Sequence, residues 1–522
     1  MPREIAPGRS CLECRRRKIK CDRSHPCSYC VKVRIQCKYP AKPLVHNEDA
    51  LGRVASLESK VQAMEKRLLE VEEPRQSPLI CLTPAAARET PREAPAPAST
   101  AAELLRPQAT IDLEALRPIQ SRIAAHWQRY LDVVDPLLKL FHTPTVQKLV
   151  MTAIHNRTKL DFAPQCLLFA IYYAAVASMS RQECQIELEE ERDVLLEQYR
   201  TGLNYYLSYL DLLKSTDIVV LQAFTLYLIT ARCDEQGPDV YALVGLASGM
   251  ALKMGLNKDG AALGLPPFEI EMRRRLWWQL LILDIRVAED RQSEPCILES
   301  SFNTRLPSNI PDGHLHPQMS RLPDCGPGRT EILFSLVRFE GSYFARQMVF
   351  SDGFSKENAY IYLSAPQKRE AIDLFKERIE KQYLSHCDDN IPFDKVTVMS
   401  IRLILAKLKL MVDDPTPMED PVSQDRLATR QGWIDLLCKA EKLRQYEGGR
   451  QWLWLFQTYI EWDALTQLLQ ELSTEPIVGD VGGAWKAVSA IYDYWNNTAT
   501  TRHDYRWTTI EKLRQEVQTA LQ

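Results

Sequence analysis

Six cysteines with regular spacing lie near the start of the chain. The pattern C-x2-C-x6-C occurs twice, and the second copy follows the first after sixteen residues. Two thiolates separated by two residues can hold one metal ion at the start of a helical turn, and the six-residue gap returns the chain to the same ion. The residues concerned are Cys11, Cys14, Cys21, Cys27, Cys30 and Cys37.

The number of sulfurs predicts two zinc ions. A structural zinc site has four tetrahedral ligands, so a single ion would leave two cysteines unused. Two ions need more ligand positions than six thiolates supply, and therefore two sulfurs must bridge. Because bridges in a duplicated unit should be equivalent residues, Cys11 and Cys27 are the expected pair. So small a segment has almost no apolar core, and metal binding must supply most of its folding free energy.

A disulfide knot and a redox-sensing thiol cluster are the alternatives. The N-terminus has no apolar stretch typical of a signal peptide, and the apolar segment 166–179 is too short to cross a bilayer. We therefore expect a soluble intracellular protein without a membrane partner, in a compartment that disfavours disulfides. The regular duplication favours metal binding over redox sensing.

Basic residues are concentrated in the same segment. Residues 1–42 carry twelve Lys and Arg against three acids, although the whole chain has a formal net charge of -3. A basic head on an acidic body indicates that the head binds a polyanion. We expect the basic side chains between the first three cysteines to enter the major groove of double-stranded DNA and to donate to guanine. They are Arg15, Arg16, Arg17, Lys18 and Lys20.

The second copy is less basic than the first. With Val31 and Val33 it is expected to pack against the first helix, while Lys32 and Arg34 hold phosphates without recognising sequence. The basic run of the first copy is also typical of a nuclear import signal, which predicts a nuclear protein. The alternative for that run is a solvated surface.

The segment Cys11-Leu-Glu-Cys-Arg-Arg-Arg-Lys-Ile-Lys-Cys-Asp22, followed by His25-Pro-Cys-Ser-Tyr-Cys30, resembles the fungal Zn2Cys6 (zinc binuclear cluster) transcription regulators. The resemblance covers all six cysteines, Lys18 and Pro26. It implies that Lys18, with backbone carbonyls at the end of the first helix, recognises a CGG-type triplet. It also implies bridging by the first and fourth cysteines, in agreement with the symmetry argument.

A heptad pattern follows and predicts a dimer. Its g positions are basic and its e positions acidic, so a parallel coiled coil of two identical chains would be self-complementary. A single solvated helix is the alternative, because three heptads is the minimum length for the pattern. The a and d positions are Val54, Leu57, Val61, Met64, Leu68 and Val71. Residues 74–110 contain seven prolines and predict a flexible, disordered Pro/Ala-rich linker.

The rest of the chain is expected to be all-α. Met272, Leu276, Leu280, Leu283 and Val287 form an apolar stripe at helical spacing. Asp217 is a helix start signal and Gly255 a stop signal. The predicted fold class is therefore mostly α. Its expected parts are a Zn2Cys6 DNA-binding domain at 1–42, a connector and coiled-coil dimerisation helix at 43–73, the linker at 74–110, and a regulatory domain at 111–522.

Ordered segments between about 120 and 312 resemble the fungal-specific transcription factor domain, or middle homology region. They include His126-Trp-Gln-Arg-Tyr-Leu-Asp-Val-Val-Asp-Pro136, Met254-Gly-Leu-Asn-Lys-Asp259 and Phe302-Asn-Thr-Arg-Leu-Pro307. Asn303 stands where the family usually shows Asp. This departure affects the expected geometry of that loop and not the domain assignment.

The sequence nominates no catalytic residue. It contains no G-x-S-x-G, H-E-x-x-H, G-x-G-x-x-G or P-loop motif, so we expect no enzyme. The run 273–275 is favoured as an ion-paired helix face over a phosphate site. The predicted function is zinc-dependent regulation of RNA polymerase II transcription by a homodimer that recognises paired CGG-like triplets. The transcription machinery and a small-molecule effector are further expected partners, and a catalytic domain joined to a DNA-binding head is the alternative.

Overall fold

The computed structural model contains two compact units, Met1–Glu93 and Ala94–Gln522. The residues that the structure describes are 11, 13–14, 17, 21–22, 26–37, 112–156, 160–234, 239–291, 293–324, 326, 328–349, 363–413, 424–457, 459–473, 480–496 and 505–520. The predicted coiled coil, the predicted linker and the side chains of Arg15, Arg16, Lys18 and Lys20 lie outside these residues.

Helices build both units, and no strand occurs among the described residues, which confirms the mostly α prediction. The first unit contains α1 (Ser28–Lys32). The second contains α2 (Leu113–Leu116), α3 (Gln120–Arg129), α4 (Asp135–Leu138), α5 (Thr143–His155), α6 (Phe162–Ala177), α7 (Arg181–Leu188), α8 (Arg192–Tyr209), α9 (Ile218–Arg232), α10 (Tyr241–Lys253), α11 (Pro267–Arg291), α12 (Leu333–Val349), α13 (Ala365–Gln382), α14 (Pro392–Asp413), α15 (Gln424–Arg444), α16 (Trp462–Ser473), α17 (Val481–Asn496) and α18 (Tyr505–Ala520). A π-helix spans Tyr130–Val134, and 3₁₀ segments span Glu299–Ser301, Asp312–His314, Leu384–His386 and Glu447–Phe456.

Two predicted helix boundaries are confirmed. The Asp217 carboxylate accepts a hydrogen bond from the Val219 amide at 2.8 Å and caps the start of α9. After α10 the backbone of Gly255 has a φ of 69°, the left-handed conformation that ends many helices and that glycine adopts without strain.

The predicted apolar stripe lies on α11, a helix buried almost all round. Leu276 and Leu280 are fully buried, as the spacing predicted. The opposite side of the helix is also buried, because Arg275 and Gln279 have no exposed surface. Helix α11 is therefore a central helix and not a surface helix with one solvated face.

Helix α6 is the second central element and packs against α8 and α9. Close contact with α8 depends on Gly202, where a Cβ would lie 2.2 Å from the Phe169 ring. In the described part of the chain no single helix is long and apolar enough to cross a membrane. Helices α6 and α7 together have the length and the apolar composition of a membrane span, but the chain bends by 116° between them.

A separate apolar cluster forms at the C-terminal end. Helices α15 to α18 contribute its largest buried side chains, which include Trp433, Leu468 and Trp495. The four tryptophans that sequence analysis assigned to the core, Trp277, Trp278, Trp452 and Trp454, are all buried.

Candidate metal centre and nucleic-acid interface

The six predicted cysteine ligands lie together in one cluster of the first unit. Five of the thiols are buried, and Cys37 is half-buried beside them. The Cys11 Sγ lies 3.7 Å from Cys27 Sγ and 3.6 Å from Cys30 Sγ, and the Cys14 Sγ lies 3.6 Å from Cys27 Sγ. Sulfurs bound to one tetrahedral zinc at about 2.3 Å would be about 3.8 Å apart. The cluster therefore fits zinc in both donor type and spacing.

The sulfurs divide into two groups with two members in common. The Cys14 thiol interacts with Cys11, Cys21 and Cys27. The Cys30 thiol interacts with Cys11, Cys27 and Cys37. Each group contains four sulfurs, which is the number that one tetrahedral zinc ion requires.

The acidity of the thiols differs across the cluster. Burial raises the pKa of Cys14 and of Cys30 far above the usual value. The hydrogen bond from the Cys30 amide, the largest effect on Cys27, lowers the pKa of that thiol to about 6. Because zinc binds thiolates, it must displace protons from Cys14 and Cys30.

Local backbone structure brings the second group of sulfurs together. The Asp22 carboxylate accepts hydrogen bonds from the Ser28 amide at 3.0 Å and from its hydroxyl, which fixes the start of α1. After α1, Arg34 adopts a left-handed φ of 52°, and the Ile35 amide donates to the Cys30 carbonyl at 3.1 Å. Sequence analysis gave Asp22 no structural role, because it lies six residues before Ser28 and the local capping signal concerns the residue directly before a helix.

The described basic residues of the first unit are exposed. The Arg17 amide donates to the Glu13 carbonyl at 3.1 Å, as in a helical turn, and 44% of its side chain is accessible. Lys32 and Arg34 are exposed too and can reach phosphates. The expected packing role of Val31 and Val33 is wrong, because α1 turns Cys30 toward the sulfurs and leaves both valines exposed.

Two known domain families match this chain. Residues 9–44 match the fungal Zn(2)-Cys(6) binuclear cluster domain, and residues 127–381 match the fungal specific transcription factor domain. The chain belongs to the fungal Zn2Cys6 transcription factors. As such a protein it is a DNA-binding transcriptional regulator, and its cofactor is a pair of zinc ions.

Curated relatives of the chain are named as transcription factors or transcriptional regulators. The aurofusarin cluster transcription factor aurR2 of Gibberella zeae is 28% identical over 94% of this chain and 76% of its own length. The transcriptional regulator nsrM of Aspergillus novofumigatus is 26% identical over 93% of this chain and 75% of its own length. The transcriptional regulator AacuB of Aspergillus aculeatus is 28% identical over 74% of this chain, which spans about half of that protein (53%).

In the matched helical domain of this Zn2Cys6 factor, Asp259 organises the loop that contains Asn303. The Asp259 carboxylate accepts two hydrogen bonds from Arg274 at 2.8 Å and one from the Arg305 amide at 3.0 Å. Burial alone would raise its pKa, but these donors outweigh burial and lower the pKa to about 2. The Asn303 side chain accepts from the Asp259 amide at 2.9 Å, so asparagine holds this loop in place.

A buried ionic network joins the same loop to the helices. Lys139 Nζ lies 2.7 Å from Asp135 and 3.0 Å from Asp312. Arg275 lies 2.8 Å from Asp312 and 3.2 Å from Glu271. Lys139 has a left-handed φ of 43°, which is uncommon outside glycine. Sequence spacing gave no signal for this network, because Asp312 is distant in sequence from its partners.

The ion-paired interpretation of the run 273–275 is confirmed. Arg273 pairs with Glu269 at 2.9 Å, and the next two arginines pair with Asp259 and Glu271. These guanidinium groups are therefore already neutralised by carboxylates and do not form a phosphate site.

Proposed function

We propose that the chain is a zinc-dependent, sequence-specific regulator of RNA polymerase II transcription that acts in the nucleus. The observation that carries the proposal is the cluster of six cysteine sulfurs beside an exposed arginine, Arg17. The cluster can hold a short helix rigid without an apolar core. A helix held in this way can present basic side chains to the major groove of double-stranded DNA.

In this proposal Cys11 and Cys27 bridge the two zinc ions. Their sulfurs belong to both four-sulfur groups, and their separation of 3.7 Å fits a shared pair of ligands. The terminal ligands would be Cys14 and Cys21 on one ion. On the other ion they would be Cys30 and Cys37.

The proposed DNA contacts divide between bases and phosphates. The run Arg15, Arg16, Arg17, Lys18 and Lys20 would lie in the major groove, and Lys18 would recognise a CGG-like triplet. Exposed Lys32 and Arg34 would hold phosphates and fix the register. The overall positive charge of residues 1–42 supports both kinds of contact.

A homodimer would place two such heads on paired triplets. The predicted seam is the heptad from Val54 to Val71, with complementary charges at its flanks. We propose domain limits at 1–42, 43–73, 74–110 and 111–522, in which the proline-rich third segment tethers the helical domain.

We propose a regulatory and not a catalytic role for the helical domain. It would contact the transcription machinery and respond to a small-molecule effector. Two relatives are named for gene clusters, as the aurofusarin cluster factor and the pyriculol/pyriculariol biosynthesis cluster transcription factor 1 of Pyricularia oryzae. These names support the proposal that this chain also controls a group of biosynthetic genes.

Gel-shift titration of the zinc-loaded full chain tests this function. The protein should bind a duplex with paired CGG triplets, and binding should weaken as salt screens its phosphate contacts. It should bind a scrambled duplex less tightly. Cys14→Ser should abolish binding, whereas Cys296→Ser, which changes an exposed cysteine of the second unit, should leave it intact. Full binding by chelator-treated, metal-free protein would contradict the proposal.

A further inference from the structure

A cavity of about 700 Å³ lies in the helical unit, between the start of α7 and the segment Glu447–Phe456. Its size is within the range of small-molecule sites. The end of α15 and Tyr494 of α17 also line it. Parts of the chain that are far apart in sequence therefore form one wall.

Most of the charged side chains that line this cavity are cationic. Five arginines and two glutamates line it. A surplus of one charge on a concave protein surface attracts groups of the opposite charge. The cavity therefore favours an anion. The arginines are Arg129, Arg181, Arg192, Arg444 and Arg450, and the glutamates are Glu183 and Glu447.

Two of the arginines have acidic partners that do not line the cavity. Arg192 pairs with Asp234 at 3.1 Å, and Arg444 pairs with Glu461 at 2.5 Å. The side chains of these two acids are only 6% and 9% exposed. Each pair therefore presents its guanidinium group to the cavity, while its carboxylate is buried in the protein.

Two further arginines are accessible to a ligand. Arg450 is exposed and forms no ion pair or hydrogen bond with any described residue. The side chain of Arg181 is 62% exposed, and its single ion pair among the described residues is with Asp193 at 2.5 Å. A guanidinium group has five N–H donors, so both side chains can bind a carboxylate or phosphate group that enters from solvent.

The backbone at the start of α7 adds donors to the same wall. Ser180, Arg181 and Gln182 line the cavity, and Ser180 is the residue directly before the helix. The Ser180 hydroxyl accepts from the Glu183 amide at 3.1 Å, but the amides of Arg181 and Gln182 donate to no described residue. Free amides at the start of a helix favour anions.

The two lining glutamates differ in how strongly they oppose an anion. Glu183 already has partners, since it accepts from the Ser180 amide at 2.8 Å and pairs with Arg129 at 3.4 Å. Glu447 is exposed and forms no ion pair with any described residue. We therefore expect Glu447 to be the lining acid that weakens anion binding most.

We propose that the 700 Å³ cavity binds a small organic anion with carboxylate or phosphate groups. Arg181 and Arg450 would pair with these groups, and the free amides at the start of α7 would donate to them. The inference rests on the proposed function for its meaning, since it identifies the class of effector. Its test measures binding itself.

Calorimetric titration of the zinc-loaded full chain with three benzene derivatives tests the charge requirement. Isophthalate carries two carboxylates, phenyl phosphate carries a phosphate, and isophthalamide is the neutral analogue of isophthalate with the same shape. At least one of the two anions should bind about tenfold or more tightly than isophthalamide, because only an anion gains charge-assisted hydrogen bonds to the arginines. The tighter of the two identifies the preferred group. Absence of binding by both anions, or equal affinity for all three compounds, would overturn the proposal.

Two variants of exposed residues on the segment Glu447–Phe456 locate the site. Arg450→Gln should weaken binding of the anion about two- to fivefold, whereas Glu447→Gln should strengthen it about two- to fivefold. Opposite effects at neighbouring positions cannot result from a general loss of folding. The matched control Arg321→Gln changes an exposed arginine outside the cavity and should have no effect. Wild-type affinity in both cavity variants would show that the anion binds elsewhere, for example at the basic residues 1–42, and would overturn the assignment.

A gel shift on the same samples separates this inference from the proposed function. Anion binding in the cavity of a protein that does not bind DNA would contradict the proposed function and leave the anion site supported. DNA binding by a protein that binds neither anion would do the reverse.

Discussion

The Sγ atoms of Cys11 and Cys27 lie 3.7 Å apart and belong to both four-sulfur groups of the cluster. A bridging thiolate is a ligand of both ions, whereas a terminal thiolate is a ligand of one. The two kinds of cysteine should therefore differ in how much metal the protein loses when they are replaced.

Cys27→Ser should reduce the zinc content of the purified protein from two ions to none, because both sites lose a ligand at once. Cys37→Ser should leave one ion bound through the intact group around Cys14. Native mass spectrometry counts the ions. Cys296→Ser, at an exposed cysteine of the other unit, should retain both. Equal loss in the Cys27 and Cys37 variants would contradict the bridging assignment.

Zinc affinity should fall as the pH is lowered. Burial raises the pKa of Cys14 and Cys30, so both thiols are protonated at neutral pH until zinc displaces their protons. Each proton released lowers the apparent affinity by about tenfold per pH unit below the thiol pKa. Cys27, with a pKa of about 6, should add to this dependence only below that pH. Competition with a chelator at pH 6 and pH 7.5 measures the zinc affinity. Equal affinity at the two pH values would contradict the prediction.

Sequence spacing was sufficient to predict the metal centre, because thiolate chemistry limits both the number and the spacing of ligands. The boundaries at Asp217 and Gly255 were also predictable, since capping and left-handed backbone are local properties. The polar core could not be predicted from the sequence. Asp312 contacts Lys139 and Arg275 across long sequence separations, and no periodic pattern in the sequence indicates these contacts.

The error at Val31 and Val33 has a simple physical cause. Valine in a short helix normally indicates a buried face, but in this unit the sulfurs are the core. Helix α1 is oriented by Cys30, and the valines, at positions one and three residues later, are exposed. In a domain stabilised by metal, ligand positions predict burial better than side-chain hydropathy does.

Lys32→Ala and Lys18→Ala should weaken DNA binding in different ways. Lys32 is exposed and is proposed to hold a phosphate, so its loss should weaken binding to all sequences alike and reduce the salt slope by about one. If Lys18 contacts guanine, its loss should cost about 1–3 kcal/mol on the CGG duplex and much less on a scrambled one. Gel shifts at several salt concentrations distinguish the two effects. Identical sequence preference in the Lys18 variant and the wild type would exclude base recognition by Lys18.

Leu57→Asp should convert the proposed dimer into a monomer. The residue occupies a d position of the predicted seam, where an aspartate would be buried against its own copy in the partner. Ser59→Asp introduces the same charge at an outward f position and should leave the dimer intact. Light scattering coupled to gel filtration gives the mass of each. A dimeric Leu57→Asp variant would show that another surface joins the chains.

Asp312→Asn should destabilise the helical unit. Lys139 and Arg275 would remain buried without their shared carboxylate, a loss of about 3–5 kcal/mol for a broken buried ion pair. Asp193→Asn breaks the more exposed pair with Arg181 and should cost no more than about 1 kcal/mol. Urea unfolding followed by circular dichroism compares the two.

The same network should make the free energy of unfolding of the helical unit depend on pH. Burial alone would raise the pKa of Asp312, but Arg275 and Lys139 outweigh it and hold the pKa well below the usual value. A carboxylate whose pKa is lowered on folding stabilises the protein at neutral pH, and this contribution disappears as the pH falls below about 4 through the folded pKa. The difference in unfolding free energy between wild type and Asp312→Asn should therefore shrink between about pH 5 and pH 2. A difference that stayed constant over this range would show that Asp312 contributes through packing and not through its charge.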